Sequence, residues 1–130
     1  MKVEVEKRLL QAVVALACLV PFIAGSLGVI RGVAWLHGSG VSLDSHFRYM
    51  SGIFLGLGIA FASCVPDIEH KTARFRLLGA LAILGGLARA LSWLELGPPD
   101  AGMRFGLVME LVVVPLLMLW QARLAARDAA

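Results

Sequence analysis

The chain has 130 residues, of which 59% are apolar and 16% charged, with a formal net charge of +3. Soluble domains are nearer half apolar and a quarter charged, and the mean hydropathy here is +0.83. These figures exclude a disordered chain, a nucleic-acid-binding domain and a disulfide-rich secreted mini-protein, and leave a small integral membrane protein with one domain over residues 1–130.

The first apolar run covers about residues 9–36 and follows Lys2, Lys7 and Arg8. Pro21 is an expected kink. The run continues far past Cys18 and past Ala24-Gly25-Ser26, too long for a cleaved signal peptide, so it reads as a retained span. The Gly38-Ser39-Gly40 connector leads to a second run over 47–65. Pro66-Asp67-Ile68-Glu69-His70-Lys71 leads to a third over 75–96, and Gly97-Pro98-Pro99-Asp100 to a fourth over 103–120, where Pro115 is a second expected bend. Backbone groups in lipid must be bonded within their own segment, and the runs lack two-residue alternation, so each is expected to be a helix. Short connectors make sequential helices antiparallel neighbours. The expected fold is all-α, an integral membrane up-down-up-down four-helix bundle.

Basic residues set the expected orientation. Lys2, Lys7, Arg8, Lys71, Arg74, Arg76, Arg123 and Arg127 share one side if both termini do. That side is expected to be the cytosol, in the inner membrane of a bacterium. Trp35, Tyr49 and Trp93 fall near the opposite interface and Trp120 near the cytosolic one, as aromatic belts do. Small residues recur at helical spacing in Gly28/Gly32, Gly52/Gly56/Ala60 and Gly79/Ala82/Gly86. Such lines serve packing within the bundle or a homodimer face, and the spacing leaves both open. Cys18 and Cys64 read as buried apolar residues at different depths, not as a disulfide.

Charges inside the spans are the most informative feature. Arg89 lies deep in the third run and Glu110 deep in the fourth. The point midway between them falls in the Pro98-Pro99-Asp100 turn, so antiparallel helices set the two at one depth, roughly 10 Å inside the helix ends. Either charge alone would cost about 2.5–3.5 kcal/mol in a bilayer centre, so an ion pair is expected. Arg31 and Arg48 repeat the pattern about the first connector, with Asp44, His46 and Tyr49 beside them. Ser92 shares a helix face with Arg89. Three arginines at similar depth outnumber the one intramembrane carboxylate, so an anionic head group is a candidate counter-charge. The inner halves of the spans read as an apolar plug beneath an outward-facing polar cavity.

Three readings of these charges compete: a structural ion-pair network, a binding site, and proton-coupled transport with Glu110 titrating. No catalytic residues, cofactor or metal are expected. His37, Asp44 and His46 match no compact ligand set, and His70 lies on the other side. No serine has an assigned histidine and carboxylate partner, and the glycines follow no strand as a phosphate loop would.

His46-Phe47-Arg48-Tyr49-Met50-Ser51-Gly52, Pro66-Asp67-Ile68-Glu69, Gly85-Gly86-Leu87-Ala88-Arg89 and Met109-Glu110-Leu111 together resemble a bacterial family of small four-helix membrane proteins catalogued as a domain of unknown function. The resemblance covers nearly the whole chain and implies a four-helix integral membrane protein with no assigned activity. A more distant similarity to DoxX-like four-helix proteins is at the level of fold alone. The expected function is a non-enzymatic membrane protein in which Arg89, Glu110, Arg48, Arg31, Tyr49 and Ser92 line a site for an anionic or amphiphilic small molecule or lipid. The alternatives are a small proton-coupled transporter and an accessory subunit of a larger membrane complex. Beyond the bilayer, the partners considered are that amphiphile, a second copy of the chain and a larger complex.

Overall fold

The computed structural model describes residues 1–130, and it is all-helical with no strands. Four long helices follow one another: α1 (Val3–Arg31), α2 (Val41–Ala62), α3 (Thr72–Leu96) and α4 (Ala101–Ala129). A 3-10 turn over Gly32–Leu36 extends α1, and another over Ile68–His70 precedes α3. α1 continues through Pro21.

Three helices, α1 with its 3-10 extension, α3 and α4, are long and apolar enough to cross a membrane. Leu16, Ile23, Ile30, Leu77, Leu84, Leu94, Leu116 and Leu119 are among the many large apolar side chains left exposed. A water-facing surface seldom carries so many large apolar side chains, whereas a lipid-facing one does. α2 differs in its first half, where Ser42, Asp44, Ser45, His46, Arg48 and Ser51 dilute its apolar character.

The chain divides into two compact units, Gln11–Pro66 and the combination of Met1–Leu10 with Asp67–Ala130. In the first, α1 and α2 form an antiparallel hairpin whose register is set by small residues. A Cβ on Gly25 would lie 2.8 Å from the Leu55 backbone nitrogen, and one on Gly58 would lie 2.7 Å from the Pro21 ring. A Cβ on Gly28 would collide with the Ser51 hydroxyl. Continued along the helices, this register brings Cys18 near the level of Cys64, not to the different depth expected. Both are buried and neither is in a disulfide.

In the second unit α3 and α4 are antiparallel. α3 ends at Gly97, whose φ of +99° suits glycine alone, and two prolines follow. α4 starts at Asp100, whose carboxylate accepts from the Met103 N–H at 3.0 Å, a side-chain N-cap. The helices touch at Gly79, against Met118, and at Gly86, where an added Cβ would lie 2.8 Å from both Glu110 Cβ and Leu111 Cδ2. Leu10, Ile68, Phe75, Leu117 and Leu124 fill the core of this unit. By contrast, Gly52 and Gly56 on α2 do not support close packing in the chain. A Cβ on Gly52 would have one neighbour, at 3.9 Å, and one on Gly56 none within 4 Å.

Gly85 and Gly86 supply a matched test. A methyl at Gly86 pushes α3 from α4, while one at Gly85 meets nothing within 4 Å. Thermal unfolding in detergent should show Gly86→Ala destabilised by about 1–3 kcal/mol. Gly85→Ala should be neutral or more stable by up to about 1 kcal/mol, from helix propensity.

Candidate functional site

Arg89 and Glu110 meet where α3 and α4 approach over Gly86. The Arg89 Nε stands 3.1 Å from Glu110 Oε1 and 3.0 Å from Oε2. Glu110 keeps 10% of its side-chain surface and Arg89 38%. A second guanidinium nitrogen, Nη1, donates to the Met103 sulfur at 3.0 Å. Gly106 passes beside the guanidinium, where an added Cβ would lie 3.7 Å from Cζ. A guanidinium has five N–H donors in a planar fork, and a thioether is a weak acceptor. One carboxylate and one sulfur therefore leave much of its hydrogen-bonding capacity unused.

Glu110 is also where the helix changes winding. Residues Met109–Val113 form a π turn, closed by the Val114 N–H donating to the Met109 carbonyl. Pro115 lies just beyond. It offers no N–H to the carbonyl four residues earlier, so regular α hydrogen bonding cannot run through this stretch unbroken. The wider turn is the local answer, and single π turns recur at functional sites.

The first unit uses its charges differently. Arg48 Nε donates to Asp44 Oδ2 at 2.8 Å, and its Nη1 donates to the carbonyls of Val29 and Ile30 at 2.5 and 3.1 Å. Asp44 Oδ1 accepts from the Val33 N–H at 2.8 Å. The pair thus clasps the end of α1, answering the carbonyls that a helix C-terminus leaves without partners. Gly32, with φ +67°, makes room: a Cβ there would collide with Asp44 Oδ1. Of the residues singled out in the sequence, the structure brings Arg89 to Glu110 and engages Arg48 in this clasp. Arg31, Tyr49 and Ser92 are exposed.

The opposite end of the second unit, just outside the expected spans, holds buried polar residues. Glu6, Glu69 and Gln121 are buried there, at 4%, 8% and 0% exposure. Glu6 accepts from the Trp120 indole N–H at 3.2 Å and pairs with Arg127. Lys7 Nζ donates to Glu69 Oε1 at 2.7 Å. The Gln121 amide donates to the Ile68 carbonyl at 2.8 Å and the Thr72 hydroxyl at 2.9 Å. Reasoning from the sequence passed over these three. Gln121 carried a signal, because Glu110, Leu117, Gln121 and Leu124 recur at helical spacing. Glu6 and Glu69 find partners only through tertiary structure.

The family catalogued as Domain of unknown function (DUF4345) matches residues 9–121. The chain belongs to that family. No curated protein and no solved structure matches it. The stretch matched to DUF4345 contains the Asp44–Arg48 clasp, the Arg89–Glu110 pair and Gln121, and it leaves out Glu6 and Lys7.

The clasp in this DUF4345 protein gives a pH test. Arg48, and after it the Val33 N–H, hold the Asp44 carboxyl below the ordinary aspartate range against the opposing effect of burial. A folded-state value below the unfolded one adds stability above the unfolded pKa, about 3.9, and that stability is lost as pH falls through the folded value. Asp44→Asn should therefore unfold at a lower temperature than wild type at neutral pH. The gap should narrow as the pH is taken below about 4.

Proposed function

We propose that this is a non-enzymatic protein of the bacterial inner membrane that binds an anionic amphiphile at Arg89. The surplus donor capacity of Arg89 carries the reading. A guanidinium in an apolar span that spends one donor on a thioether is poised for a better acceptor. A carboxylate or phosphate head group supplies one, bidentate and charge-assisted, while the exposed apolar flanks of α3 and α4 suit its hydrocarbon tail. Glu110 holds the guanidinium in place and offsets the cost of burying it. Ser92, one turn from Arg89 and exposed, offers a hydroxyl on the same face of α3. The π turn fixes where Glu110 meets its partner. Arg48 spends its bonds on a carboxylate and two backbone carbonyls of the first unit, stronger acceptors than the Met103 sulfur, which favours Arg89 as the binding group.

The test is native mass spectrometry of the gently extracted full chain. Wild type should carry a bound molecule of defined mass. Arg89→Ala should lose it, and Arg89→Lys, which keeps the charge without the planar fork, should retain it only in part. Bare protein in all three spectra, or the same bound mass in all three, would overturn the reading.

Both termini are placed on the cytosolic side in this proposal, from the bias of Lys and Arg towards the termini and the second connector. A C-terminal alkaline phosphatase fusion should be inactive and a C-terminal green fluorescent protein fusion bright. An active phosphatase fusion would invert the orientation.

A further inference from the structure

The second connector brings metal-binding chemistry together outside the Arg89 site. Asp67, Glu69 and His70 each offer a ligand atom, and these atoms lie within 4.8 Å of one another. The 3-10 turn over Ile68–His70 explains the convergence. With three residues per turn, Asp67 and His70 stand on one side of it. The turn is firmly held: Ile68 is fully buried, and its carbonyl accepts from the Gln121 amide at 2.8 Å.

Two further observations point to a cation. Lys7 occupies Glu69 Oε1, but Glu69 Oε2 is buried with no donor. A buried carboxylate oxygen without a donor calls for an ion or a water. The second observation comes from α4. His70 Nδ1 lies 3.6 Å from Glu69 Oε1, while Nε2 lies 3.4 Å from Asp128 Oδ2. A carboxylate this close to one ring nitrogen is placed to take its N–H and leave the other nitrogen to a metal, as carboxylates behind metal-binding histidines do.

We propose that Asp67, Glu69 and His70 bind a divalent first-row transition metal, with Asp128 positioning His70. An imidazole with two carboxylates suits Zn2+ or Mn2+ better than Mg2+ or Ca2+, which take oxygen ligands. Tetrahedral coordination at ordinary Zn–N and Zn–O lengths sets ligand atoms about 3.4 Å apart. The ligand atoms lie within 4.8 Å of one another, and the exposed side chains of Asp67 and His70 can turn to close the rest.

The experiment is calorimetric titration of Zn2+, and separately Mn2+, into the full chain in detergent after removal of metal with a chelator. Excess Mg2+ serves as the competitor. The expected result is one Zn2+ or Mn2+ per chain at micromolar affinity or tighter, not displaced by Mg2+. His70→Gln and Asp67→Asn should each weaken binding by at least about tenfold, and Asp128→Asn by about 10–100-fold. All three residues are exposed, so the variants should fold as wild type, and a thermal melt checks this. His46→Gln, in the other unit, should bind as wild type. Absence of binding at micromolar Zn2+ and Mn2+, or binding that His70→Gln and Asp67→Asn leave unchanged, would overturn the proposal.

Discussion

The Arg89–Glu110 pair depends on the missing side chain at Gly86. A Cβ there would press on Glu110 Cβ and Leu111 at 2.8 Å. Helices in lipid gain little from burying apolar surface against each other, because the tails are as apolar as the side chains. Close backbone approach, van der Waals contact and polar pairing must hold them instead. Gly86 allows the first two and places the third. The π turn belongs to the same constraint. Pro115 disrupts regular bonding one turn beyond Glu110, and the extra residue in the turn shifts the facing of the helix where the carboxylate must meet the guanidinium.

The first unit solves a similar problem with the same parts. Gly32 takes a positive φ at the end of α1, and the space its side chain would fill is taken by Asp44. Asp44 and Arg48 then satisfy backbone groups of α1, from the Val29 carbonyl to the Val33 N–H. In each unit a glycine admits a charged pair and the pair fixes the register. The difference is in what the arginine does next. Arg48 spends its donors on a carboxylate and two backbone carbonyls, all strong acceptors. Arg89 spends one of its two bonds on sulfur.

How far the sequence could be read follows from the range of each interaction. Helix number, the connectors and the common depth of Arg89 and Glu110 follow from apolar runs and a short turn, which are local. The same arithmetic works for α1 and α2, since Pro21 faces Gly58 and Gly25 faces Leu55. Applied to Cys18 and Cys64 it brings them near one level, which corrects the expectation of different depths. The π turn has no residue signature of its own, and Pro115 read as a bend. Glu6 and Glu69 flank apolar runs, and nothing local marks them for burial. Their burial depends on Trp120, Arg127 and Lys7, which the sequence does not set beside them. Asp44 and Arg48 looked like part of a polar rim, since nothing local shows that they reach back to α1.

The two ends of the second unit differ in how their charges are matched. Near the termini each buried carboxylate has a cation, Lys7 for Glu69 and Arg127 for Glu6, and an oxygen of Glu69 remains without a donor. Near the third connector the excess runs the other way, with a guanidinium that has more donors than its neighbours can accept. A residue kept only to lock two helices would spend its bonds on strong acceptors, as Arg48 does in the clasp. Charge is expensive in a span, about 2.5–3.5 kcal/mol for an isolated group, and two well-packed apolar side chains would hold the helices as well or better. A partly exposed guanidinium kept in a span, and bonded in part to sulfur, is what supports the proposed anion-binding role over scaffolding alone.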